Sequence, residues 1–197
     1  MHHAIFDTPV INVLMHWFSR MALRLTGGRA AGGAPTVPKY VLIAAPHTSN
    51  WDFPVALMVC FALRLRVYWM GKDSLFPPLV GGVMRWLGGI PVNRARSGNL
   101  VQATVDAYDG PPQLVVPPEG TRSKVTQWKT GFYYIAQGAG VPIALGYLDF
   151  RKKEAGLSRM IQPSGDIAAD MVEIQAFYAG ITGKNPGKFD GGTAPEK

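Results

Sequence analysis

A single cysteine, Cys60, excludes an intrachain disulfide framework, and its place in the apolar run Val55 to Leu63 suits a buried structural thiol. Long hydrophobic runs are missing too. The longest candidates are broken by Asn12, His16, Arg20, Arg24 or Arg64, short of the ~18–20 apolar residues that span a bilayer, so no membrane-crossing helix is expected. The N-terminus has no basic stretch beyond His2 and His3 and no clean small-residue cleavage site, which argues against a cleavable signal. There is no internal repeat, and no Gly-x-Ser-x-Gly elbow, which counts against a serine hydrolase of that type. Charge is also scarce. With 17% of residues charged against 47% hydrophobic, the surface must carry more apolar side chains than usual, so an interfacial partner is plausible.

The charge that is present is mostly positive, +7 in net, which favours anionic partners. Nucleic acid is not expected among them, because the aromatics sit in apolar runs rather than between basic residues. A chain of 197 residues fits one domain with one core.

Three regions are expected: an N-terminal amphipathic helix within residues 1–30, an α/β domain over 38–182, and a disordered tail over 183–197 poor in groups to bury. The helix spans Pro9 to Leu25 and ends at Gly27-Gly28. Asn12, His16, Arg20 and Arg24 form its polar stripe, and the wide apolar remainder suits either domain packing or an in-plane membrane helix. A loop follows from Gly27 to Pro38. Strands are then predicted at Tyr40–Ala45, Val67–Met70, Ile90–Val92, Leu114–Val116 and Val141–Leu148. Helices are predicted at Asn50–Leu63, Pro78–Leu87, Ser97–Tyr108, Thr130–Ala139 and Ile167–Ile181, the last introduced by Asp166. This alternation implies a mostly parallel central sheet flanked by helices.

Chemistry concentrates where strands end. In Pro46-His47-Thr48-Ser49-Asn50-Trp51-Asp52, His47 and Asp52 could not meet within one regular helix, where five positions separate side chains by ~140°. They meet if His47 lies in the loop and Asp52 in the first helical turn, with Ser49 or Asn50 as cap. The carboxylate would then fix the imidazole tautomer and leave the other nitrogen as a general base. The alternative is a plain loop histidine beside a carboxylate that favours a helix start. The segment Glu119-Gly120-Thr121-Arg122-Ser123 also follows a strand, with an arginine suited to a phosphate, although a plain turn with a solvated arginine has the same composition. Lys72 and Arg94 bring further cations to strand ends; singly they read as surface charges, together as an anion pocket. Arg151-Lys152-Lys153 reads as a solvated loop or as part of an anionic-lipid surface.

Together these blocks resemble the glycerolipid acyltransferases, of which bacterial 1-acyl-glycerol-3-phosphate acyltransferases are familiar members. The hallmarks fall in order: His47 to Asp52, Gly89 to Arg94, Glu119 to Arg122, and Val141-Pro142-Ile143. The resemblance spans Tyr40 to Leu148. It implies His47 as general base oriented by Asp52, and an acceptor site built from Lys72, Arg94, Glu119, Gly120, Thr121 and Arg122. It also implies acyl-CoA or acyl-carrier protein as donor, a lysophospholipid acceptor, no metal, cofactor or acyl-enzyme, and a peripheral or monotopic place at the cytoplasmic face of the membrane. Two positions depart from the family pattern: Asn93 stands where an acidic residue is usual, and Pro117 where an aromatic or aliphatic one is usual. The chain is also short for the family, which leaves little room for a long acyl-measuring tunnel. The rival readings are a lipid or thioester hydrolase and a noncatalytic binder of anionic lipid.

Overall fold

The computed structural model describes residues 3–92, 105 and 113–189. The strands among them are β1 (Arg29–Ala31), β2 (Tyr40–Ala45), β3 (Tyr68–Lys72), β4 (Gly89–Val92), β5 (Gln113–Val116), β6 (Ile143–Asp149) and β7 (Glu154–Ile161). They form one sheet in the order β1-β7-β6-β2-β5-β3-β4, parallel at every pairing except β6 with β7. The helices are α1 (Pro9–Leu25), α2 (Asp52–Ala62), α3 (Gly81–Trp86), α4 (Gly131–Ala139) and α5 (Ile167–Tyr178).

Strand β2 sits near the middle and is covered on both faces, which its continuous apolar sequence requires. Val41, Ile43 and Ala45 point into one core, closed by Phe132 and Ile135 of α4 and by Met171 and Ile174 of α5. Tyr40 and Leu42 alternate into the other, closed by Cys60 and Phe61 of α2 and by Ile5 and Phe6 of a short 3₁₀ turn before α1. Phe6 packs on Phe61 with ring centroids 4.9 Å apart, and burying such a side chain contributes ~1.5–3 kcal/mol. At the start of α5 the Asp166 carboxylate accepts from the Ala168 and Ala169 N–H groups, 3.1 Å each, so this expected start is present.

Several expectations are corrected. The loop predicted from Gly27 to Pro38 contains β1, and the antiparallel β7 was not foreseen. Three residues are too few to show a period, and β1 owes its existence to close pairing with β7. A Cβ on Gly156 would stand 1.9 Å from the Ala31 carbonyl oxygen, so only glycine lets these strands approach. Arg151-Lys152-Lys153 forms the tight turn from β6 to β7, with the Asp149 carboxylate accepting from the Arg151 and Lys152 N–H groups. The helix predicted from Pro78 is confined to Gly81–Trp86, because Pro78 begins a turn rather than the helix. The helix predicted over Ser97–Tyr108 lies outside the described residues apart from Val105, which is helical.

The tail expected from Gly183 is fixed in place through Phe189. Phe150 N–H donates to the Thr182 carbonyl at 2.9 Å, Asn185 bonds twice to Thr48, and Phe189 packs beside Trp128. Composition hid this because the segment is held by backbone and amide hydrogen bonds, with one ring as anchor. Residues 190–197 lie outside the described residues.

Helix α1 has the predicted bounds, and it lies on the domain with its apolar face outward. Asn12 donates to the Phe6 carbonyl at 2.8 Å, and buried His16 donates from Nδ1 to the Phe61 carbonyl at 3.0 Å. Ser19 and Leu23 complete this inward stripe, whereas Arg20 and Arg24 of the predicted polar stripe are exposed. Val10, Leu14, Trp17, Phe18, Met21 and Leu25 are each at least half exposed.

Cys60 is 7% exposed, and burial pushes its thiol up to about 12. At neutral pH its thiolate is then far scarcer than the few per cent of a free thiol. N-ethylmaleimide is expected to leave the native protein unlabelled over the minutes in which the urea-unfolded chain labels fully. Fast native labelling would mean that the Cys60 thiolate forms far more readily than its burial allows.

Candidate active site

Parallel pairing carries the ends of β2, β3 and β5 to one edge of the sheet, where α/β proteins bind ligands. Beyond Ala45 the chain turns through Pro46, His47 and Thr48 before α2 begins at Asp52. Asp52 is 2% exposed and its Oδ2 accepts from Thr48 N–H at 2.6 Å and Ser49 N–H at 2.8 Å. The same oxygen stands 3.3 Å from His47 Nδ1. Two backbone donors and the helix N-terminus offset the desolvation of the carboxylate. Its Oδ1 is buried without a hydrogen-bond partner among the described residues. The expected cap by Ser49 or Asn50 is not formed: Trp51 takes the cap position with no side-chain bond, and Ser49 Oγ accepts from Trp51 N–H at 3.1 Å. Asp52 turns back onto the loop instead.

On the far side of the loop, Glu119 Oε1 accepts from His47 N–H at 2.6 Å. Glu119, expected in the acceptor site, is 2% exposed and ties the β5 loop to the β2 loop. Gly120 follows with φ +65°, where a side chain would be strained and a Cβ would meet Lys129 at 3.0 Å. This turn leads to exposed Thr121 and Arg122 at the mouth of the site. Of the expected residues, His47, Asp52, Lys72, Gly120, Thr121 and Arg122 line one cleft. Arg94 lies outside the described residues.

The cleft holds about 490 Å³ and has two characters. Phe53, Ala56, Leu57 and Cys60 present the inward face of α2 at helical spacing, so an apolar wall runs ~10 Å along that helix towards Val67. This apolar part of the cleft lies between α2 and the sheet, and its ~10 Å length agrees with the expectation of little room for a long tunnel. At the other end Lys72, Arg122 and Lys188 supply cations, while Asp52 is the one carboxylate in the described lining. Lys188 was missed because it lies in the supposed tail, and only the neighbouring Phe189 marks that segment as able to pack. Among the described residues no group of three His, Cys, Asp or Glu side chains could hold a metal ion.

A family model described as acyltransferase matches residues 31–144, more than half of the chain and a span that includes His47, Asp52 and Glu119 to Arg122. The chain belongs to the acyltransferase family. Its fold is similar to the crystal structure of the 1-acyl-sn-glycerophosphate acyltransferase PlsC from Thermotoga maritima. The TM-score is 0.55 at 16% identity, over 79% of this chain and 70% of that one. No curated protein sequence matches the chain. The acyltransferase fold is thus a single α/β domain with a mostly parallel sheet and an N-terminal helix.

If Glu119 holds the His47 loop, Glu119→Ala removes a buried acceptor and leaves an N–H unsatisfied, which costs ~1–3 kcal/mol. Glu119→Gln keeps a carbonyl acceptor and should stay within ~1 kcal/mol of wild type. Urea unfolding of the two variants checks the ordering, and equal stabilities would remove the tie from the account.

Proposed function

We propose that this protein transfers a fatty acyl group from acyl-CoA or acyl-carrier protein to the hydroxyl of a lysophospholipid, 1-acyl-glycerol-3-phosphate being the best match. The observation that carries this reading is His47 held at Nδ1 beside Asp52, in a cleft apolar at one end and cationic at the other. Nε2 of His47 has no hydrogen-bond partner among the described residues and is the nitrogen left for an acceptor hydroxyl. It takes the hydroxyl proton as the oxygen attacks the thioester carbonyl, and it returns that proton to the departing sulfur. Asp52 stabilises the imidazolium formed between these two transfers. Lys72 and Arg122 hold the acceptor phosphate, joined by Arg94 in the family pattern, while Gly120 and Thr121 shape the rim. The acyl chain follows the α2 wall. No metal, cofactor or acyl-enzyme intermediate enters this scheme.

The outward face of α1 supports a peripheral or monotopic place on the membrane, at the cytoplasmic face where acyl thioesters are found. No helix among the described residues is long and apolar enough to cross a bilayer. A crevice of about 360 Å³ joins Leu23 and Thr26 at the end of α1 to Trp51, which is 64% exposed, and its lining holds Arg29, Lys153 and Lys184 together with Asp149 and Glu154, the latter ion-paired with Arg29. Apolar surface thus runs from the end of α1 towards the turn that carries His47, with Lys184 exposed beside it, which suits an interface with anionic lipid.

Thiol release from acyl-CoA is expected to depend on lysophosphatidic acid, to form the diacyl product, and to fall by ~10²–10⁴ in His47→Ala while the variant stays folded. Release without acceptor would identify a thioester hydrolase, and vesicle binding with no release would identify a lipid binder. In a separate flotation measurement, replacing Leu14, Trp17 and Met21 by serine should lower recovery with anionic vesicles at least ~10-fold. Unchanged recovery would remove α1 as the contact.

A further inference from the structure

The segment from Thr182 to Phe189 lies across the loop that carries His47. Asn185 N–H donates to Thr48 Oγ1 at 3.2 Å, and Asn185 Nδ2 donates to the Thr48 carbonyl at 2.8 Å. A Cβ on Gly183 would come within 2.8 Å of Thr48 Oγ1 and 3.0 Å of Pro46, so the glycine lets the chain lie flat on the loop. The far end is pinned by Phe189, whose ring centroid is 6.4 Å from that of Trp128. Between these anchors a 3₁₀ turn, Pro186–Lys188, brings Lys188 to the cleft that holds His47, Lys72 and Arg122. Lys188 forms no ion pair among the described residues. An uncommitted ammonium in a cleft whose described lining has one carboxylate, itself buried and engaged by two backbone donors, is placed for a substrate anion.

We infer that residues 182–189 form a strap completing the acceptor site, in which Lys188 binds the acceptor phosphate opposite Arg122 and Lys72 while Asn185 positions Lys188 through Thr48. This rests on the proposed acyl transfer to a phosphate-bearing lysolipid and adds to it a binding residue and a positioning residue. Lysine suits the task as a point charge at the edge of a site where Arg122 offers the planar fork. The strap also gives the site a selectivity: an acceptor without a phosphate gains nothing from Lys188.

The test compares wild type, Lys188→Gln, Lys188→Arg, Asn185→Ala and the double variant Asn185→Ala/Lys188→Gln. Lys188→Gln should raise the KM for lysophosphatidic acid about 5- to 20-fold, with little change in kcat or in the KM for acyl-CoA, as loss of one charge-assisted contact implies. Its KM for monoacylglycerol, which has no phosphate, should not move. Lys188→Arg should recover most of the loss. Asn185→Ala should raise the same KM, and the double variant should be no worse than the more affected single one, because both act through one contact. Calorimetric titration with lysophosphatidic acid in neutral detergent micelles reads the same contact without turnover. Failure of the proposed reaction would show as absent turnover in wild type, and the titration would still decide the role of Lys188. Equal wild-type and Lys188→Gln affinities in the titration would overturn the inference, as would a KM increase that is the same for monoacylglycerol, or fully additive losses in the double variant.

Discussion

One carboxylate oxygen organises the active-site loop. Asp52 Oδ2 draws in two successive backbone N–H groups and the His47 ring nitrogen, so the chain can leave β2 and enter α2 only by wrapping around it. The neighbouring donors are accounted for in the same way: His47 N–H goes to Glu119 and Trp51 N–H to Ser49 Oγ. A loop normally satisfies such groups with water. Here side chains do it, which fixes the imidazole at an opening in the surface without burying it.

That arrangement depends on the sheet. Parallel pairing of β2 with β5 brings Glu119 beside His47, 72 positions away in sequence, and pairing of β5 with β3 brings Lys72 to the same edge. Below the edge the space between α2 and the sheet is apolar; above it the charged residues accumulate. His47 lines the same cleft as both the apolar and the cationic residues.

The alternation of helices and strands was legible because each central element is long enough to show its period, as in β2 or α1. The site was legible as far as local spacing reaches: His47 and Asp52 lie five apart, and Glu119 to Arg122 are contiguous. Contacts made by single residues across long separations were hidden. Glu119 reads as part of the acceptor site, and its bond to the His47 backbone is not visible in the sequence, while Asn185 and Lys188 read as a disordered tail until Thr48 is placed beneath them. Strand β1 was invisible for the same reason, since its three residues owe their conformation to Gly156 and its neighbours. Amphipathicity alone gave the stripe on α1 but not its orientation. Asn12 and His16 face inward because the Phe6 and Phe61 carbonyls await donors there, and the apolar side is left outside.

The two ends of the described chain have different duties, and synthesis orders them in time. Helix α1 leaves the ribosome first, while Asn185, which closes over Thr48, comes roughly 160 residues later. At ~5–20 residues per second this is an interval of about 8–30 s. During it a growing chain whose α1 binds lipid, as proposed above, would hold that helix at the interface while its site is unfinished. On the membrane contact proposed for α1, delivery to an interface would precede the closing of residues 182–189 over Thr48.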